Sequence, residues 1–299
     1  MNINAWINLY KPSGYSSAYC LTLLKKKFKL KKIGHLGTLD PMAEGVLPIA
    51  INEATKTISL VNKSKKTYNF DVKWGEQTDT FDQEGKIINK SSKIPTYEEI
   101  KCEIKKNFLG LIEQTPPSYS AKRINGKRAY EMARDGISFK LHKIKKKIYG
   151  IRITEHSIIN KKSSFLVVCE SGTYVRSIAN EIGIRLKTFC YCTKIVRLRD
   201  GFFSKKNSYS LKNLINSENI TNFKKYLLEI KSVLYHIPTI EINDKKLKLI
   251  KNGMKVSMLE EAGSKEYKRI LADYHQNVVA IGFMKEGIFY PKRILNTNE

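Results

Sequence analysis

The sequence predicts an α+β fold: a mixed, largely antiparallel sheet with flanking helices, followed by a small β-rich unit at the C-terminal end. Three observations carry this. Residues 68–74 alternate strictly, with Tyr68, Phe70, Val72 and Trp74 on one face and Asn69, Asp71 and Lys73 on the other, the period of a half-buried strand. Strand-like and helix-like segments follow one another without the β-α-β-α rhythm of a parallel sheet. After Pro238 the chain becomes a string of short segments punctuated by Gly253, Gly263, Gly282 and Gly287. The 299 residues allow about two domains with ample core, expected at 1–236 and 237–299.

The elements follow in order. Residues 5–9 read as a short strand closed by the turn Lys11-Pro12-Ser13-Gly14. Ser16 or Ser17 caps a helix carrying Leu21, Leu24 and Phe28 at helical spacing. Residues 34–48 hold three Gly and two Pro, which specify a fixed, irregular loop. A short apolar strand follows at 46–51, and Ala54, Ile58 and Val61 predict a second helix. Beyond the alternating strand, residues 147–154 and 164–169 form a strand pair, and Val175, Ile178, Ile182 and Leu186 lie on one side of a helix. No internal repeat is visible.

Lys and Arg total 54 against 28 Asp and Glu, a formal net charge of +26 that points to a polyanion, nucleic acid first. Lys outnumbers Arg 44 to 10, so part of the excess reflects compositional drift. An apolar share of 41% excludes a disordered basic tail. No apolar run approaches the ~20 residues of a membrane span, and the start, Met1-Asn2-Ile3-Asn4-Ala5-Trp6, lacks the layout of a signal peptide. Five Cys with no Cys-x-x-Cys support neither a disulfide framework nor a zinc site. A cytoplasmic protein with reduced thiols and no membrane partner is expected. Between Tyr119 and Tyr130 stand Lys122, Arg123, Lys127 and Arg128; cations interleaved with aromatics suit RNA contact, and a solvated surface loop and helix is the alternative.

Two segments carry chemistry. In Gly34-His35-Leu36-Gly37-Thr38-Leu39-Asp40-Pro41, the proline ring holds Asp40 in an extended conformation on an irregular loop just before a buried strand. That suits a catalytic carboxylate, and equally an Asp that caps a turn. In Ser171-Gly172-Thr173-Tyr174-Val175-Arg176, Arg176 falls on the first turn of a helix, where a cation opposes the helix dipole. Pairing with a carboxylate is the usual reason for such a placement.

The loop at 34–41 closely resembles the catalytic loop of the TruB-type tRNA pseudouridine synthases. The likeness extends to Lys11-Pro12-x-Gly14-x-Ser16-Ser17, Lys66-x-Tyr68, Gly75-x-x-Thr78-Asp79-Thr80-x-Asp82, Pro117-x-Tyr119-Ser120-Ala121 and Gly172-Thr173-Tyr174-Val175-Arg176-Ser177. Lys251-Asn252-Gly253 to Pro291-Lys292-Arg293 is similar to the family's PUA-like module. Leu36 and Thr38 depart from the loop's pattern and Phe189 to Thr193 from the pattern before Ile195, leaving the chemical positions in place.

The resemblance implies the pseudouridine synthase fold and isomerisation of uridine to pseudouridine at position 55, in the T loop of tRNA, without metal or organic cofactor. It assigns Asp40 as the essential carboxylate, attacking C1′ or removing the C2′ proton, and Arg176 as its ion-pair partner. Tyr68 would stack on the target uracil, with its hydroxyl assisting loss of the C5 proton; His35 would support the flipped-out RNA, and Tyr174 would contact the nucleotide from the opposite wall. Ile195 would line the pocket with Arg197 behind it, and Lys11 would support the catalytic loop. The stretch 114–136 would close on the tRNA T arm, with Lys122, Arg123, Lys127 and Arg128 on phosphates, in a monomer that needs no protein partner. Three other readings are an RNA-binding protein without turnover, a base-excising glycosylase and a guide-RNA-dependent relative. Asp40, Tyr68 and Arg176 together disfavour the first. The second needs a further carboxylate to place water, for which the loop offers only Glu44. The 114–136 stretch argues against the third.

Overall fold

The strictly alternating strand, Lys66–Trp74, runs near the middle of an 11-stranded sheet in the computed structural model of the chain. The structure describes residues 3–61, 65–120, 123–124, 126–139, 141–217 and 220–296. Across the sheet the order is Tyr209–Ser210, Trp6–Lys11, Glu44–Ile51, Cys190–Asp200, Lys66–Trp74, Lys162–Cys169, Ile144–Ser157 and Gly110–Gln114, with three short strands branching off. Pairing is antiparallel except where Trp6–Lys11 meets Tyr209–Ser210 and where Glu44–Ile51 meets Cys190–Asp200. The α+β expectation holds.

Local chemistry explains the helices. Ser16 caps Ser17–Lys27 by accepting from the Tyr19 amide, which frees the Ser17 hydroxyl for a different task. The helix Val175–Arg185 buries Val175, Ile178 and Ile182, the face that the spacing predicted. The helix predicted from Ala54, Ile58 and Val61 is instead a 3₁₀ helix, Asn52–Leu60. Thr55 and Thr57 donate their hydroxyls to the carbonyls of Asn52 and Ala54, three residues back, which favours the tighter turn.

A second, 5-stranded sheet is built from Thr239–Glu241, Tyr267–Tyr274, Asn277–Lys285, Ile288–Ile294 and Val256–Ser257 in that spatial order. It has its own core around Ile250, Ile270, Val279 and Phe289. It also shares a core with the main sheet: Trp6, Val46 and Phe203 pack with Val233, Leu234 and Ile237 and with Leu271, Val278 and Ile281. Leu271 is 0% exposed at this junction, so Leu271→Ala is expected to lower stability by about 2–5 kcal/mol. The check is a fall in the urea midpoint; an unchanged midpoint contradicts the shared core.

Candidate active site

The loop that carries Asp40 is held as an arch by main-chain contacts from three directions. The Ser17 hydroxyl, freed from capping, accepts from the Leu39 amide and donates to the Leu39 carbonyl. Ser13 donates to the Met42 carbonyl at 2.9 Å, and the Gly14 amide to the Pro41 carbonyl at 2.9 Å. Lys11, fully buried, donates its ammonium to the carbonyls of Pro12, Tyr15 and Pro41. Burial pulls the Lys11 pKa down to about 8, against the pull of the Asp40 and Glu44 carboxylates. From below, Arg197 donates to the carbonyls of Gly37, at 2.8 Å, and Val46, at 2.7 Å. Gly45, at φ +111°, lies flat on the Arg197 backbone, where no Cβ would fit.

Arg176 is the hub. Its guanidinium pairs with Asp40 Oδ2 at 2.9 Å and with Asp82 Oδ2 at 2.9 Å, and donates to the carbonyls of Thr80 and Tyr119. The Arg176 side chain is 5% exposed and that of Asp82 4%, whereas Asp40 keeps 39% of its surface open. One carboxylate is therefore locked in the protein and the other presented to an incoming molecule. Asp82 is held in turn by the Thr80 hydroxyl and the Glu84 amide. The same corner anchors the start of the 114–136 stretch: Gln114 exchanges hydrogen bonds with the Tyr174 backbone, and Ser177 donates to the Thr115 carbonyl.

Asp40 opens on a cavity of about 330 Å³. Tyr68, Tyr174, Arg176, Ile195 and Lys66 line it with the turn Ser171-Gly172-Thr173. Burial pushes the Tyr68 hydroxyl up to about 12, with Arg197 pulling the other way, so it is a neutral phenol at pH 7. Tyr174 is shifted upward as well, by burial first. Beneath the floor, Asp200 lies 3.0 Å from Lys66 Nζ and 3.6 Å from Arg197 Nη1. Burial lowers the Lys66 pKa, with Arg197 adding to the effect and Asp200 opposing it. Gly37, at φ +67°, rests against this group; a Cβ there would collide with the Lys66 ammonium.

The fold thus brings Asp40, Tyr68, Tyr174, Arg176 and Ile195 around one cavity, with Arg197 and Lys11 bracing the loop from either side. His35 ends the short strand Ile33–His35, paired with Ile49, and lies outside the lining. Of the four cations assigned to RNA contact, Lys122 lies outside the described residues. Arg123 and Arg128 pair as the ends of a two-stranded hairpin, on which Lys127 is exposed. Asp82 and Lys66 were legible only as motif letters: nothing local shows that Asp82 shares Arg176 with Asp40, 94 residues of separation being closed by the sheet. Glu44, the second carboxylate offered by the loop's sequence, faces Lys194 at 3.6 Å instead of the cavity. Among the described residues no group of three or more His, Cys, Asp or Glu is placed to hold a metal ion, and no helix is long and apolar enough to cross a membrane.

Comparison with known proteins gives a consistent picture. Residues 25–175 match the family model described as TruB family pseudouridylate synthase (N terminal domain). The chain is 39% identical over 293 residues to tRNA pseudouridine synthase B of Ehrlichia ruminantium (strain Gardel), covering 97% of this chain and 99% of that one. It is 35% identical over 291 residues to tRNA pseudouridine synthase B of Aquifex aeolicus (strain VF5), covering 95% and 97%. Among solved structures, a chain of a Cbf5-Nop10-Gar1 complex superposes with a TM-score of 0.69 at 23% identity, over 97% of this chain and 84% of that one. A chain of an H/ACA RNP bound to a substrate RNA containing 2'-deoxyuridine does so at 0.70 and 22%, over 98% and 85%. These two likenesses speak for the fold.

Proposed function

Because this chain belongs to the TruB family of pseudouridylate synthases, we propose that it isomerises uridine to pseudouridine at position 55, in the T loop of tRNA, with Asp40 as the reacting carboxylate. The observation that carries the reading is the Asp40 carboxylate, held 2.9 Å from a buried Arg176 and left open toward a cavity that Tyr68 also lines. A uracil stacked in a folded loop is out of reach of such a group, so the base must be flipped out, at a cost of a few kcal/mol. Stacking on Tyr68 and phosphate contacts offset that cost.

Once the base is in the cavity, the N1–C1′ bond breaks, the uracil turns, and C5 bonds to C1′. Asp40 either adds to C1′ or takes the C2′ proton; in both cases Arg176, paired with it at 2.9 Å, fixes the direction of the carboxylate. Tyr174 and Ile195 confine the base, Arg197 and Lys11 keep the loop from yielding, and His35 supports the flipped-out RNA. The reading extends to the rest of the chain. Residues 1–236 serve as the catalytic unit, 237–299 as a PUA-like RNA-binding unit, and Lys122, Arg123, Lys127 and Arg128 of the 114–136 stretch contact phosphates of the T arm. The protein then works in the cytoplasm as a monomer, with no cofactor and no protein partner.

The test is incubation with an unmodified tRNA transcript, followed by mapping of pseudouridine. Product at position 55 is expected. Tight binding without product supports the binding-only alternative, and release of free uracil supports hydrolysis. A second expectation concerns Tyr68→Phe. The ring is retained, so affinity for tRNA stays, while loss of the hydroxyl slows product formation by about 10²-fold or more, the scale of a positioned proton-transfer group. As a neutral phenol at pH 7, Tyr68 assists loss of the C5 proton by hydrogen bonding through its hydroxyl rather than as a phenolate base. A wild-type rate in Tyr68→Phe reduces Tyr68 to a stacking platform.

A further inference from the structure

The cavity's buried charges fall into two groups of unequal make-up. On the Asp40 side one guanidinium, that of Arg176, serves two carboxylates, Asp40 and Asp82. On the Tyr68 side two cations, Lys66 and Arg197, share one carboxylate, Asp200. Side-chain exposure there is 6% for Lys66, 0% for Arg197 and 4% for Asp200. Of these three, Lys66 alone lines the cavity, two residues before Tyr68 on the same face of one strand. Lys11 does not add to this group, since its ammonium is committed to three carbonyls of the loop and the turn behind it. Cys169 is near Lys66 too, and burial keeps it a neutral thiol by raising its pKa to about 11.

A structural account needs only one cation for Asp200. Arg197 already lies 3.6 Å from it while holding the carbonyls of Gly37 and Val46. Lys66 is then a second charge that the fold must strip of water, which costs several kcal/mol before any partner is counted. The chemistry gives that charge a use. When the N1–C1′ bond breaks, its electron pair goes to N1; the base becomes an anion with charge spread over N1 and the two carbonyl oxygens, and C1′ becomes electron-poor. A carboxylate at the sugar and an uncompensated cation at the base match that polarisation in a site of low dielectric.

We propose that Lys66 is a catalytic residue of this chain: its ammonium, fixed by Asp200, stabilises the uracil anion as it leaves C1′. The inference rests on the isomerase reading above and holds for either role of Asp40, because the base departs as an anion in both. Electrons and protons balance without consuming Lys66. The pair returns when C5 bonds to C1′, the C5 proton leaves to restore the ring's double bond, and N1 ends protonated.

The experiment compares single-turnover formation of the C-glycoside on two tRNA transcripts, one carrying uridine and one 5-fluorouridine at the target position. Fluorine withdraws electron density and makes the departing anion less dependent on help from the protein. Lys66→Met removes the charge and leaves Arg197 and Asp200 as a neutral pair. It is expected to slow the uridine reaction by about 10²-fold, the scale seen when one preorganised stabilising group is removed, and the fluorouridine reaction by less than about a tenth of that factor. Affinity for tRNA should be unchanged. Lys66→Gln, which keeps a hydrogen-bond donor but no charge, should show the same asymmetry and stands in if the Met variant does not fold. Equal slowing on both transcripts assigns Lys66 a structural role and overturns the proposal, as does an undiminished uridine rate. Failure of the wild-type protein to isomerise uridine at all would overturn the underlying reading instead, so the two failures are distinguishable.

Discussion

Replacing Asp40 by Asn is expected to bring pseudouridine formation below detection, a fall of at least about 10⁴-fold, while tRNA affinity changes little. The size follows from what is removed. Asn is close to isosteric and can keep a contact with Arg176, but its amide neither adds to C1′ nor accepts the C2′ proton under the conditions of the reaction. Affinity should persist because phosphate contacts supply most of it, and Asp40 is an anion that makes none. The fold should persist too. Arg176 keeps its second carboxylate, Asp82, at 2.9 Å, and the pair with Asp40 is partly open to water, where such pairs contribute about 1 kcal/mol or less. The check is a single-turnover assay beside filter binding and thermal unfolding of the same preparation. Turnover by Asp40→Asn at more than a hundredth of the wild-type rate would remove Asp40 from the chemistry.

The second large effect is expected at Arg176, for the opposite reason. Arg176→Met should lose both activity and stability, with stability falling by about 3–5 kcal/mol. Asp82 is buried, and without the guanidinium its charge retains, among the described residues, the Thr80 hydroxyl and the Glu84 amide. The carbonyls of Thr80 and Tyr119 lose their donor in the same step. Arg176→Lys restores the charge but not the planar fork that spans two carboxylates and two carbonyls, so it should recover part of the stability and little of the rate. Urea unfolding and single-turnover rates of the three proteins check this. A stable but inactive Arg176→Met would mean that the arginine serves Asp40 alone, and that the buried arm to Asp82 contributes nothing.

What could be read from the amino-acid order was whatever is encoded within a few residues. Alternation at 68–74 is the period of a pleated strand, and it is the strand Lys66–Trp74. The spacing of Val175, Ile178 and Ile182 is the period of a helix face, and that face is buried. Glycine and proline between 34 and 48 restrict the backbone wherever they occur, so the irregular loop around Asp40 was legible before any contact was known. Two local expectations differ from the structure. The helix read from Ala54, Ile58 and Val61 is a 3₁₀ helix, because hydroxyl groups compete for nearby carbonyls, an effect apolar spacing does not register. The two ends of the loop read over 34–48 belong to the strands Ile33–His35 and Glu44–Ile51. The motif order also pointed to the family, because several short segments in register are a one-dimensional signal.

Tertiary structure alone decided which charges meet. Arg176 could be expected to seek a carboxylate, but sequence spacing does not say that one guanidinium would be divided between Asp40 and Asp82, or that burial would close off Asp82 and leave Asp40 open. Glu44 stands four residues from Asp40 and faces away, while Asp82, far along the chain, arrives because its turn bridges Cys192. The Lys66, Arg197 and Asp200 group depends likewise on two neighbouring strands pairing Lys66 with Asp200 and Tyr68 with Arg197. The apolar junction between the two sheets was hidden for the same reason, since Trp6 and Leu271 are brought together from opposite ends of the chain. Periodicity tells a side chain which face it will occupy; the net balance of charge around a cavity is fixed by which strands pair and in what register, and those pairings join residues too distant in sequence for any local pattern to specify.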